Sequence, residues 1–236
     1  LSRQNRKLPS KLDEKLMYVL GLLAGDGHLR YSYKDKHVTS ISLSNSDKEV
    51  INLYKKYLKD LFNVKDIKSR GKYDYSFDSP AIGTFLSNLG LPYRNKSRTV
   101  SLPDYLVFLP EKFIVSYLKG IYDTDGYVHL PPSGKQVIYY TMSKKMANSL
   151  NMILLRFKIQ SNMRKKKDGT YEISINEKDS INIFKEKIGF NHLERKSRLN
   201  KEIKTKYTKS SYNRIPINNY LKNIIKKLNI SKRYFL

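Results

Sequence analysis

Val19-Leu20-Gly21-Leu22-Leu23-Ala24-Gly25-Asp26-Gly27 is answered ninety-nine residues later by Leu118-Lys119-Gly120-Ile121-Tyr122-Asp123-Thr124-Asp125-Gly126. Each stretch is an apolar, helix-like run with one glycine inside it and an Asp-Gly pair at its end. The same offset relates the inner glycines, Gly21 and Gly120, and the final acids, Asp26 and Asp125. A duplicated motif that repeats a carboxylate at its end predicts two copies of one structural unit and two matching acidic groups.

The repeat extends outward. Leu12, Leu16, Val19, Leu20 and Leu23 recur at helical spacing before the first acid, as do Phe113, Tyr117, Leu118 and Ile121 before the second. Pro9-Ser10 and Pro110-Glu111 mark the expected helix starts. After Gly27 the period switches to two, with Leu29, Tyr31 and Tyr33 alternating with Arg30, Ser32 and Lys34, and Ile41 and Leu43 with Ser40, Ser42 and Ser44. Two such segments joined at Asp35-Lys36 read as a hairpin with one apolar and one polar face. The second copy echoes it around Pro131-Pro132-Ser133-Gly134.

A helix then follows in each copy, capped by Ser46 or Asp47 and running to about Leu61, or capped by Ser143 and running to about Phe157. A second hairpin turns at Gly71 in copy one and at Asp168-Gly169, expected as a two-residue turn, in copy two. A further helix ends each copy near Leu89-Gly90 and Ile188-Gly189. Arg94-Asn95-Lys96-Ser97-Arg98 is finally matched by Glu194-Arg195-Lys196-Ser197-Arg198, with Lys96 seventy residues after Asp26 and Lys196 seventy-one after Asp125. The expected organisation is an arm over 1–9, a first half over 10–107, a second half over 108–205 and a basic extension over 206–236, with a helical stripe at Ile217, Leu221, Ile224, Ile225 and Leu228.

Composition narrows the partner. At 236 residues, 39% of them apolar, with 19 Tyr and 9 Phe, the chain has the material for a core. Forty-six Lys+Arg against 21 Asp+Glu give a formal charge of +25, which points to a polyanion, nucleic acid first and an anionic membrane second. No apolar run approaches the roughly 20 residues that span a bilayer, and no signal peptide is visible. Cysteine is absent, which excludes a disulfide framework and thiolate metal sites. An intracellular nucleic-acid binder is expected.

Asp26 and Asp125 stand at the expected C-terminal ends of helices, where Gly27 and Gly126 would supply the usual left-handed stop. A carboxylate there faces the negative end of the helix dipole, at a cost of roughly 0.3–1 kcal/mol. Two of them at matching positions suggest an offsetting cation. Gly21 and Gly120 each cost about 1 kcal/mol against alanine inside a helix, which a close helix–helix approach would offset. If the two motif helices cross at these glycines, Asp26 and Asp125 converge. Paired carboxylates without cysteine or clustered histidine suit a hard divalent ion, usually Mg²⁺. Beside a phosphodiester such an ion activates water and stabilises the leaving oxygen. Lys96 and Lys196 are the candidates to stabilise charge or assist deprotonation. The bland alternatives are turn aspartates and solvated lysines, and the duplication argues against both.

These features resemble the LAGLIDADG homing endonucleases in their single-chain, two-motif form, over residues 10–205, with Leu118–Gly126 the closer match to the signature. The resemblance implies an α+β fold of two pseudo-symmetric αββαββα halves, motif helices at their interface, and saddle-shaped antiparallel sheets on the major groove of double-stranded DNA. It implies a monomeric endonuclease that cuts both strands of a long specific site with Mg²⁺, Mn²⁺ or Ca²⁺ being able to substitute in binding. Asp26 and Asp125 become metal ligands, together with the backbone carbonyls of Gly25 and Thr124. Motif one lacks the first acid of the signature, having Ala24, and by the same logic Asp123 is structural rather than catalytic. Asn45 suits the polar position at the end of the second strand, and Met142 is its expected counterpart. Arg30, Ser32, Lys34, Ser40 and Ser42 are candidate base or backbone contacts, and Lys68, Arg70, Lys72, Arg164 and Lys166 candidate phosphate contacts. The alternatives are an intron RNA-binding splicing cofactor and a DNA-binding regulator that does not cut.

Overall fold

The computed structural model describes residues 5–34, 37–93, 95–132 and 134–202. The turn at 35–36 and the stripe at 217–228 lie outside the described residues. Chain order runs α1 (Glu14–Gly25), β1 (Gly27–Ser32), β2 (His37–Ser44), α2 (Lys48–Phe62), β3 (Lys68–Arg70), β4 (Asp74–Asp78), α3 (Pro80–Asn88) and the one-turn α4 (Lys96–Thr99). A 3₁₀ turn over Asp104–Phe108 leads to α5 (Glu111–Asp125), β5 (Gly126–His129), β6 (Gln136–Thr141), α6 (Lys144–Arg156), β7 (Asn162–Lys165), β8 (Tyr171–Ile175), α7 (Lys178–Lys187) and α8 (Leu193–Asn200). Each half is the αββαββα unit expected from the sequence, followed by one further short helix, α4 or α8.

Each half builds a four-stranded antiparallel sheet of the same order, β1-β2-β4-β3 and β5-β6-β8-β7. Period-two alternation decides which face is buried. Leu29, Ile41 and Phe77 face the core from neighbouring strands, as do Val128, Val137 and Ile175 in the other half. A register shift between Arg30 and Tyr31 pairs Tyr31 with Val38. That bulge keeps Val38 buried, where strict alternation from Ser40 would have turned it outward. The helices are set by their caps. Asp47 Oδ1 accepts from the Val50 N–H at 3.0 Å, and Ser143 Oγ accepts from the Met146 N–H at 3.2 Å.

Three local expectations change. Helix α1 starts at Glu14, not at Pro9-Ser10, because Asp13 caps it through the Lys15 N–H. The turn after β7 has three residues rather than two. Lys166 and Thr170 close it, and Gly169 takes the left-handed position at φ +88°. Gly27 and Gly126 are not left-handed stops, and Gly126 has φ −75°. Close packing demands glycine there instead. A Cβ on Gly27 would lie 2.5 Å from the Leu23 carbonyl oxygen, and one on Gly126 would lie 2.4 Å from that of Tyr122.

Candidate active site

The site begins with two glycines. Helices α1 and α5 cross where a Cβ on Gly21 would stand 2.2 Å from the Tyr117 carbonyl oxygen, and one on Gly120 would stand 2.5 Å from that of Tyr18. Any side chain at either position would strike backbone, so the crossing as it stands requires glycine at both. The contact persists to the C-terminal ends, where a Cβ on Gly25 would meet Thr124 Oγ1 and come within 3.0 Å of Asp125 Oδ2. Asp26 and Asp125 are thereby brought together from opposite halves.

Each acid has a different neutral donor. Asn45 Nδ2 donates to Asp26 Oδ2 at 2.9 Å, and the Tyr139 hydroxyl donates to Asp125 Oδ2 at 3.3 Å. Burial raises the pKa of both carboxyls. Asp125 is pushed up to about 7, by burial first and then by the negative charge of Asp26. Lys96 Nζ donates to the carbonyls of Leu23, Gly25 and Gly27, so its ammonium caps the end of α1. Burial holds Lys96 below its ordinary value, against the pull of Asp125 and Asp26. A cleft of about 300 Å³ opens beside Asp125, lined among others by Gly25, Lys96, Ser97, Tyr139 and Thr141.

The second cation is Arg195, not Lys196. Arg195 Nη1 donates to Tyr122 O at 2.9 Å and Nη2 to Thr124 O at 2.7 Å, whereas the Lys196 side chain is exposed. Lys196 belongs to the wet side of α8, because neighbours on a helix point about 100° apart. The ninety-nine-residue offset that relates the acids also leads from Lys96 to Arg195, and that was the available signal.

Thr141, not Met142, is the counterpart of Asn45. Asn45 Oδ1 accepts from the Asp47 N–H at 2.9 Å, and Thr141 Oγ1 accepts from the Ser143 N–H at 3.1 Å. The register agrees, since Gly27 pairs with Leu43 while Gly126 pairs with Tyr139. Tyr139 therefore reaches its acid from a position two residues before the one that Asn45 uses.

Asp123, fully buried, accepts from the Tyr18 hydroxyl at 2.7 Å and from the N–H groups of Asn191 and His192 at 2.9 and 3.0 Å. It joins α1 and α5 to the segment that enters α8. These donors and burial, which raises its pKa to about 6, describe a structural carboxyl.

The oxygen donors at the crossing are the two carboxylates and the carbonyls of Gly25 and Thr124, since Asn45 turns its Nδ2 to Asp26 and its Oδ1 to the Asp47 N–H. Those carbonyls already accept from Lys96 and Arg195, and each retains a second lone pair. Oxygen donors with excess negative charge fit a hard divalent cation.

Strand pairing places Arg30, Ser40 and Ser42 on the polar face of the first sheet with Lys68 and Arg70. Ser32 follows Arg30 beyond the bulge, and Lys34 and Lys72 are exposed in turns. Acids share this face, with Asp74 opposite Arg70 and Asp78 opposite Ser40. In the second sheet Arg164 is exposed but bonded to Glu172 at 3.1 Å, and Lys166 lies over the Tyr140 ring. Among the described residues no helix is long and apolar enough to cross a membrane.

A family model described as a LAGLIDADG-like domain matches residues 13–98 and 112–189. A probable translation initiation factor IF-2 of Methanocaldococcus jannaschii is 30% identical over 92% of this chain, which is 18% of that protein. The ATP-dependent DNA helicase Hel308 of the same organism is 29% identical, over 80% of this chain and 17% of its own length. A glutamine–fructose-6-phosphate aminotransferase from that organism is 28% identical over 78% and 17%. The chain thus spans less than a fifth of these curated relatives. Among solved structures, the homing endonuclease I-DmoI in complex with DNA and Mn matches with TM-score 0.56 and 17% identity, over 80% of this chain and 98% of that one. Full-length DUF199/WhiA from Thermatoga maritima matches with TM-score 0.54 and 17% identity, over 97% and 71%. At these identities the structural likeness shows the fold alone.

Proposed function

Because the chain belongs to the LAGLIDADG-like domain family, we propose that it is a site-specific double-stranded DNA endonuclease acting with a divalent metal, Mg²⁺ in the first instance. The observation that carries this is the convergence of Asp26 and Asp125 at a glycine-forced crossing, each beside a partly buried cation. I-DmoI has been solved with DNA and Mn and with DNA and Ca, and the same classes of partner are proposed here.

Asp26 and Asp125 would hold the metal, joined by the carbonyls of Gly25 and Thr124. When bound, the metal supplies a Lewis acid and a water of lowered pKa. Asn45 and Tyr139 orient the carboxylates and favour their charged forms. Lys96 and Arg195, fixed on backbone carbonyls, bring positive charge to where a scissile phosphate would develop negative charge. The polar sheet faces supply groove and phosphate contacts, and the charge of +25 supplies counterion-release affinity.

The relatives support a mobile role. By their names the translation factor, the aminotransferase and the helicase share no activity, yet each carries this segment as less than a fifth of its length. A segment indifferent to its host is what a gene-mobility endonuclease would be. The charge of +25 serves equally a second reading, a protein of this fold that binds DNA without cutting it. Cleavage of a randomised duplex library in Mg²⁺ separates the two. Discrete double-strand cuts, lost in Asp26→Asn and in Asp125→Asn, are expected. Equal binding without cuts by all three proteins would establish the second reading.

A further inference from the structure

The caps of the two central helices do more than start those helices. Asp47 of the first half uses Oδ1 for the Val50 N–H of its own helix and Oδ2 for the Leu193 N–H at 3.1 Å. Leu193 is the first residue of α8, two residues before Arg195, and the N-cap residue His192 gives that helix no side-chain cap, its Nδ1 lying instead 3.2 Å from the same Asp47 Oδ2. Ser143 of the second half accepts from the Met146 N–H and donates to Val100 O at 2.6 Å. Val100 closes α4, and its N–H returns to the Lys96 carbonyl at 2.8 Å. Asp47 and Ser143 occupy equivalent positions, each two residues after the matched pair Asn45 and Thr141. Both reach across the pseudo-twofold, and each ends on the element that carries the opposite half's cation.

Resting on the nuclease reading, we propose that each half positions the other half's cation: Asp47 is a positioning residue for Arg195, and Ser143 for Lys96. The two strand cleavages then depend on crossed supports. The cleft beside Asp125 is consistent with this, being lined by Lys96 and Ser97 from one half and Tyr139 and Thr141 from the other.

The experiment measures nicking of each strand separately on the cleaved duplex, with Arg195→Met and Lys96→Met defining which strand each cation serves. Asp47→Asn changes the strap, at the Leu193 N–H and beside His192 Nδ1, while sparing the cap of α2. Asparagine caps a helix as well as aspartate and keeps an acceptor for Val50, but its second group is a donor that cannot receive the Leu193 N–H. The expected result is a loss of roughly tenfold, the scale of one hydrogen bond to a charged group, on the strand slowed by Arg195→Met, with the other strand within about twofold. Ser143→Gly, tolerable at a cap, is expected to slow the strand slowed by Lys96→Met. Equal slowing of both strands by Asp47→Asn would overturn the proposal, as would Arg195→Met and Lys96→Met slowing the same strand. A wild-type protein that nicks neither strand sinks the nuclease reading instead, and amide exchange then tests the strap alone. Leu193 protection lost in Asp47→Asn, with Val50 unchanged, supports it. A Leu193 amide already unprotected in the wild type overturns it.

Discussion

At the end of α1 a one-turn helix delivers a lysine whose ammonium bonds three carbonyls, while at the end of α5 an eight-residue helix delivers an arginine whose fork bonds two. The buried carboxyl also differs. Asp123 holds the entry to α8, while its counterpart in the first motif is Ala24, and α4 begins instead from Asn95 at φ +46°. The parts common to both halves are the glycines and terminal acids, which backbone approach and charge convergence dictate. The parts that differ are the supports, which can be built in more than one way once those are in place. A lysine is a compact point charge and an arginine a rigid planar fork, so the two acids stand beside chemically unequal cations.

The comparison breaks first at the crossing. Gly21→Ala and Gly120→Ala each drive a methyl into backbone that cannot swing aside, and each is expected to lower stability by about 3 kcal/mol, read as a shift in urea midpoint. Equal losses would show that the halves share the crossing evenly. A loss at one glycine only would show that one helix yields.

Next comes the buried carboxyl. Asp123→Ala strands the Tyr18 hydroxyl and two N–H groups and is expected to cost about 2–3 kcal/mol. It should also loosen Arg195, seen as reduced amide protection through α8 with α4 unaffected. Loss of protection in both helices would show that the two supports are not independent.

A third difference is in titration. An unfolded aspartate titrates near 3.9, whereas Asp125 is held up to about 7. Between those values the folded protein keeps a proton that the unfolded chain has released, so this group's contribution to stability falls as pH rises from about 4 to about 7 and is flat above. Asp125→Asn is therefore expected to melt at a higher temperature than wild type at pH 8 without metal, with the advantage shrinking toward pH 4. A difference independent of pH would contradict this, and added Mg²⁺ should raise the wild type alone.

The smallest effect separates the neutral donors. The 2.9 Å bond from Asn45 to Asp26 is shorter than the 3.3 Å bond from Tyr139 to Asp125, and both favour the ionised acid. Asn45→Ala should move the carboxyl titration of Asp26 upward by more than Tyr139→Phe moves that of Asp125, measured by carbon NMR. The reverse order would make the tyrosine the stronger partner.

Much of this molecule was legible in the chain. The repeat gave two units, and apolar periodicity gave the order of helices and hairpins. The paired glycines implied the crossing that brings Asp26 and Asp125 together, because a glycine inside an apolar helix needs a reason and backbone contact is one. Local chemistry sufficed for these, since a period, a cap or a Cβ too many is a property of a few neighbouring residues. The tertiary structure decided what surrounds the acids: Arg195 rather than Lys196, Thr141 rather than Met142 opposite Asn45, and Tyr139 as the donor to Asp125. Lys96 and Lys196 match in the linear sequence, but the rotation of α8 turns Arg195 to the carbonyls at the end of α5 and Lys196 to water. That rotation is fixed by Asp123 and Asp47, which lie 72 and 148 residues before Arg195 in the chain. A helix turns about 100° per residue, so a one-residue error in alignment exchanges a side chain at the acids for one in water, and only contacts made across the fold determine which.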